Sequence, residues 1–211
     1  MSSASGLKNR TYLVALHIHQ MCNADSSETN RVRWTISDLE GFPENSNRYE
    51  IIDGDLFVTR APHLKHQDVV GAICVELRAW SKTSQLGKAV FSPGIIFSES
   101  DSVIPDVVWV SNERMEHLLD EAGHLTGAPE LVVEVLSQTE KDKKRDRETK
   151  LKLYSAEGVT EYWIGDRQQQ AIEIYQRENG ILRKTRTLFV ADTLTSPLLP
   201  EFQCRVQTLF E

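Results

Sequence analysis

Two short β-favouring runs each hold one acid where a strand interior calls for an apolar side chain. "VIPDVVWV" (residues 103–110) surrounds Asp106 with apolar neighbours, and "ELVVEVLS" (130–137) does the same to Glu134. Runs of this length and β-branched content read as buried strands. Burying an isolated carboxylate is costly, so each acid must be paired, hydrogen-bonded or bound to a cation. On neighbouring strands and pointing the same way, the two would form an oxygen-rich site suited to a hard cation such as Mg²⁺. The plainer alternative is that each acid faces solvent on an edge strand or pairs with an arginine.

The rest of the chain alternates between strand and helix signals. "TISDLEGF" (35–42) is a short capped helix. "RYEIIDGDLFVTR" (48–60) is a hairpin turning at Asp53-Gly54, the type I′ pair. Val69, Val70, Ile73, Cys74, Leu77 and Trp80 recur at helical spacing, and Gly87 is expected to close that helix. "KAVFSPGIIFSE" and "SVIPDVVWV" read as two strands, followed by a short helix ended by Gly123. "PELVVEVLS" is a strand and "EKDKKRDRETKLKLYSAEG" a charged helix stopped by Gly158. "TEYWIGD", "AIEIYQRE" and "ILRKTRTL" close as a strand series with a turn at Asn179-Gly180. Trp109 and Trp163 read as core. The order implies one α/β domain around a central mixed sheet flanked by helices. Residues 34–211 are assigned to it and residues 1–33 to an N-terminal extension.

The helix after Glu134 carries the next chemical signal. Residues 141–152 hold seven basic and three acidic residues in a chain whose net charge is −7. Most such runs are solvated faces with i,i+4 pairing. Here Asp146, Lys150 and Tyr154 fall four apart and share a face, with Leu151 and Tyr154 as anchors. Lys150 can therefore reach inward, and an ammonium beside two carboxylates would orient water or neutralise charge developing on phosphate. Glu50 and His66 are weaker candidates, the first alternating with apolar strand neighbours and the second near a helix start. His17 and His19 lack a third ligand.

The acidic balance argues against bulk electrostatic binding of nucleic acid, though not against a local basic patch. Cys22, Cys74 and Cys204 form no C-x-x-C, which speaks against a zinc ribbon or disulfide framework and for a reducing, cytoplasmic setting. No apolar run suffices to span a bilayer. "TYLVALHIHQ" is interrupted by histidines and lacks a cleavage site, so no signal peptide is expected. Phosphate-binding loops, hydrolase elbows and zincin motifs are missing.

With these motifs in order ("RYEIIDGDLFVT", "HLKHQDVV", "VIPDVVWV", "GAPELVVEVLS", "RDRETKLKLYSAEGVTEYWIGD", "AIEIY"), residues 34–178 resemble the Uma2 family. This is a bacterial domain of unknown function grouped with restriction endonucleases in the PD-(D/E)XK nuclease superfamily. The resemblance implies a restriction-endonuclease-like core and a Mg²⁺- or Mn²⁺-dependent site that hydrolyses DNA phosphodiester bonds. It matches Asp106 to the Pro-Asp acid and Glu134 to the second acid, both as metal ligands, with the Val135 carbonyl as a further oxygen. Leu136 stands where the superfamily places lysine, and Lys150 on the following helix takes that role. Glu50 and His66 fall on family motif positions and join the catalytic set. A homodimer is expected by the same likeness, since such nucleases often pair to cut two strands. The alternative is a nuclease-fold nucleic-acid-binding or assembly module with little or no turnover.

Overall fold

Asp53 (φ 49°) and Gly54 (φ 70°) both adopt left-handed backbone, and this turn joins β1 (Arg48–Ile52) to β2 (Asp55–Thr59) as an antiparallel hairpin. The chain, seen in a computed structural model, is described over residues 31–43 and 45–211, and Trp34–Glu211 form one unit. The expectations for "TYLVALHIHQ", His17, His19 and Cys22 lie outside the described residues.

After α1 (Ile36–Leu39) and the hairpin comes α2 (Leu64–Ser84), whose Val69, Val70, Ile73, Cys74 and Leu77 are buried as the helical spacing predicts. The helix ends in a left-handed Gln85 (φ 59°) rather than at Gly87. Gly87 instead opens β3 (Gly87–Phe91) and lies so close to the Trp109–Ser111 segment that an added Cβ would sit 2.3 Å from the Val110 carbonyl oxygen and 2.6 Å from the Trp109 ring. The glycine is there for close approach, not for capping.

The two runs expected to be single strands each divide. β3 is followed by β4 (Ile95–Ser98), and β5 (Asp101–Val103) by β6 (Val107–Ser111). β4 and β5 join the hairpin in a four-stranded sheet ordered β2-β1-β5-β4. β3 and β6 enter a six-stranded sheet with β7 (Leu131–Val135), β8 (Glu161–Asp166), β9 (Ala171–Glu178) and β10 (Ile181–Phe189), ordered β10-β9-β8-β7-β6-β3. Proline lacks the N–H a ladder needs, so each run breaks at its proline and crosses between sheets. Asp106 therefore sits in a bend at a crossing and not inside a strand. The Ser92 N–H donates to the Asp106 carbonyl at 3.0 Å and ties the two crossings together.

The large sheet is the mixed central sheet anticipated, since β7 and β8 run parallel and its other pairs antiparallel. A parallel pair needs a crossover. Here it is one helical stretch of three parts: α4 (Glu140–Lys144), a π-helical turn (Arg145–Lys150) and α5 (Leu151–Glu157), closed by Gly158 at φ 97°. Alternate residues of β6 and β7 serve two cores. Val107, Trp109, Leu131, Val133 and Val135 pack with α2, while Val108 and Val132 pack with Leu153, Tyr154, Ile52, Ile95 and Val103. α3 (Asn112–Leu118) stops before Gly123, which lies in the following turn. A C-terminal hairpin of β11 (Thr193–Ser196) and β12 (Leu199–Arg205), absent from the sequence reading, covers the α2 side through Leu194, Leu199 and Phe202. No helix among the described residues is long and apolar enough to cross a membrane.

Gly87→Ala is expected to lower stability by about 2–3 kcal/mol, because backbone rather than a flexible side chain must yield. Urea unfolding followed by circular dichroism would show a lower midpoint at unchanged slope.

Candidate active site

The register that pairs Val107 with Val133 sets Asp106 opposite Glu134 when extended by one step. Both acids share the face that carries Val108 and Val132, where the crossover helix and the small sheet meet. Glu50 enters from β1, His66 from the start of α2 and Lys150 from the π turn. All five border one cavity of about 420 Å³, together with Arg48, Arg145 and Asp146.

Lys150 lies at the centre. Its ammonium donates to Glu134 Oε1 at 2.7 Å and pairs with Glu50 Oε1 at 2.8 Å, and its side chain is 2% exposed. Tyr154 adds a hydroxyl donor to the same Glu134 oxygen at 2.9 Å, and the Ile104 N–H donates to Glu50 at 2.9 Å. The spacing Asp146, Lys150, Tyr154 does place three buried side chains on one face. The π turn adds what spacing does not reveal. In a regular α-helix, Arg145 and Lys150 would point about 140° apart around the axis. A turn closed by i→i+5 bonds brings them to one side. Arg145 thus reaches Asp146 Oδ1 at 3.2 Å and Thr59 at 3.1 Å from the same wall.

Asp106 is held on both oxygens. Arg48 Nη1 donates to Oδ1 at 2.9 Å, and the Val135 N–H donates to Oδ2 at 2.9 Å. His66 Nε2 stands 3.2 Å from Oδ2 and 2.8 Å from the Val135 carbonyl oxygen. Both neighbours only accept, so this nitrogen carries the proton. His66 Nδ1 is buried with no protein partner among the described residues. The Val135 carbonyl, expected to offer a metal ligand, is engaged by His66.

Four carboxylates face three permanent cations here, and the surplus charge falls unevenly. Burial raises the Asp106 carboxyl, but His66, the Val135 N–H and Arg48 outweigh it and bring it down to about 2. Glu50 is also lowered, since Lys150 and Arg145 overcome its burial. Glu134 is pushed up to about 8 by burial and by Asp106, Asp146 and Glu50, against the pull of Lys150. Burial likewise lifts Asp146 to about 6. Lys150 binds its proton more tightly than a free lysine, because two glutamates outweigh its desolvation, and it stays an ammonium at neutral pH. The asymmetry within the Lys150–Glu134 pair follows from sharing: the lysine has two acids, whereas Glu134 divides one lysine with Glu50.

The sequence pattern marks these five side chains as candidates and Tyr154 as a helix anchor, but it leaves Arg48, Arg145 and Asp146 without a role. The i,i+4 rhythm of Asp146 and Tyr154 around Lys150 was the available signal. Nothing local marks Arg48, whose partner lies 58 residues away.

Glu134 and Asp146 hold their protons more tightly folded than unfolded. The stability they contribute is therefore full below the ordinary carboxylate values of 4.5 and 3.8, and falls as pH rises toward about 8. Glu134→Gln should flatten this decline. Lys150→Met leaves buried acids without their ammonium and should cost about 3–5 kcal/mol at pH 8, with much of the loss recovered at pH 5. Thermal melts across pH 5–8 on the wild type and both variants check both statements.

The sequence profile of the Uma2 family, described as "Putative restriction endonuclease", matches residues 36–207. Among solved structures, a "putative nuclease belonging to DUF820" from Anabaena variabilis aligns with a TM-score of 0.67 at 18% identity. The match covers 83% of this chain and 97% of that one, and at this identity it speaks to the fold alone. A search among curated proteins found no match.

Proposed function

The chain belongs to the Uma2 family, and on that premise we propose that its acid-lined cavity hydrolyses DNA phosphodiester bonds with the help of a divalent cation. The observation that carries this reading is the convergence of Glu50, Asp106, Glu134, Lys150 and His66, from separate elements, on one water-accessible cavity. A site built only for stability would gain little from four buried acids, since apolar side chains of similar volume serve at least as well.

Asp106 and Glu134 would hold the cation, Mg²⁺ or Mn²⁺. Among the described residues no three of His, Cys, Asp and Glu stand together as a ready ligand set. Mg²⁺, however, needs only one or two carboxylates, with waters and substrate phosphate completing its shell. The donor chemistry fits: both groups offer hard oxygens, and the crowding that lifts Glu134 to about 8 is relieved by a cation at that carboxylate. A cation bound there would polarise a phosphoryl oxygen and acidify a water.

The protein's own groups do the rest. Lys150, a fixed ammonium, is no base. Its charge stabilises negative charge developing on the phosphoryl oxygens while water attacks phosphorus and the sugar oxygen departs. Glu50 holds Lys150 in place. Arg145, close in charge to Glu134 and Glu50, adds positive potential from the same helical wall. His66 fixes Asp106 and the Val135 carbonyl, which makes it a positioning residue. One observation favours a module without turnover: each acid of the site is already paired with a cation of the protein.

Plasmid and single-stranded DNA incubated with Mg²⁺ or Mn²⁺ separate the two readings. Cutting should require the cation and fall at least a hundredfold in Asp106→Asn, Glu134→Gln and Lys150→Ala. Wild-type cutting by Glu134→Gln would remove this site assignment. DNA binding with no cutting by either metal would establish the module instead.

A further inference from the structure

The cations bordering the cavity fall into two groups. Arg48, Arg145 and Lys150 are each engaged with carboxylates. Arg60 and Arg167 make no hydrogen bond or ion pair with the protein among the described residues. Arg60 is exposed, so water satisfies it. Arg167 differs, because it is half-buried at the end of β8 and its Nε is sealed from solvent with no acceptor. A buried donor on a charged group, left without an acceptor, is unfavourable, and the structure should keep it only if something else accepts.

The surroundings state what that acceptor is. Arg167 lies beside Ser137 and Gln138, the residues that leave β7 just past Glu134, and all three line the same cavity. Neither Ser137 nor Gln138 makes a side-chain hydrogen bond to the protein among the described residues. A guanidinium, a hydroxyl and an amide, all uncommitted, face one space. This donor set is suited to a phosphate oxygen. No carboxylate lies within ion-pair reach of Arg167, unlike the other half-buried cations of the wall.

We infer that Arg167, with Ser137 and Gln138, forms a subsite for a backbone phosphate of a nucleic-acid strand. The inference rests on the nuclease reading of the adjoining acids and names how that site captures its substrate. The cations at the acid end of the cavity are already engaged by carboxylates, so a cation free of acid partners is the one available to hold the strand. Arg167 supplies it and positions the strand without touching the reacting bond.

The test uses the full chain and a fluorescein-labelled oligonucleotide, single- and double-stranded, with EDTA present so that no cation contributes. Anisotropy titrations over a salt series give affinity and its salt dependence. Arg167→Ala should weaken binding about tenfold and reduce the slope of log affinity against log salt by about one, the signature of one lost phosphate contact. Arg167→Lys, which keeps the charge but not the fork, should fall between. The melting temperature should not fall, because the guanidinium has no protein partner to lose and its buried Nε is unsatisfied in the free protein. Unchanged affinity and slope in Arg167→Ala overturn the subsite, and so does a wild type that binds no DNA at low salt. Separate failures remain distinguishable. Cutting with unaltered binding in Arg167→Ala keeps the nuclease and removes the subsite, whereas Arg167-dependent binding without cutting by Mg²⁺ or Mn²⁺ keeps the subsite and removes the nuclease.

Discussion

One buried ammonium holds this molecule's centre together. Lys150 bridges a glutamate of the small sheet to a glutamate of the large one, through contacts of 2.8 and 2.7 Å. Each acid would be prohibitively placed without it, and the lysine would be equally misplaced without them. The geometry of both sheets and the crossover helix is therefore tied to one charge. The π turn is part of the same arrangement, since it aims Arg145 and Lys150 at one cavity while Leu153 and Tyr154 keep the helix seated on the core.

The scaffold gives that charge its setting. Two proline-marked crossings carry the chain between sheets, and the second of them delivers Asp106 to the cavity. Arg48 then clasps both crossings, donating to Asp106 Oδ1 and to the Ser92 hydroxyl at 2.9 Å each. His66 ties the helix on the far side of the large sheet to the same acid. The strong difference in proton affinity between Asp106 and Glu134 comes from these partners: the first has three donors and the second mainly a shared one. Pairs of carboxyls driven apart in this way are what acid–base and metal chemistry require.

Much of this was legible in the sequence. Asp53-Gly54 marked the hairpin, the spacing of Val69 through Leu77 marked α2, and the lone acids in apolar runs marked where charge meets core. The likeness to the Uma2 family is supported by the profile match over residues 36–207. What escaped depended on distance along the chain. Periodicity cannot tell one strand from two that belong to different sheets, so Asp106 looked like a strand interior when it is a crossing. Gly87 resembled a helix stop because its true reason, the Val110 carbonyl, lies 23 positions on. A π turn has no spacing signature of its own, and the orphaned Arg167 is defined by partners it lacks, which no local pattern records. The β11–β12 hairpin was missed because its short, mixed strands carry weak alternation.

The central claim is that the Asp106–Glu134 pair is a cation site and not only a structural knot. Crystals soaked in Mn²⁺ and measured at its absorption edge test this directly. An anomalous density peak touching both carboxylates, with Lys150 still against Glu50, is the predicted result. Saturating Mn²⁺ with no peak between Asp106 and Glu134, and Lys150 still bridging both glutamates, would contradict it.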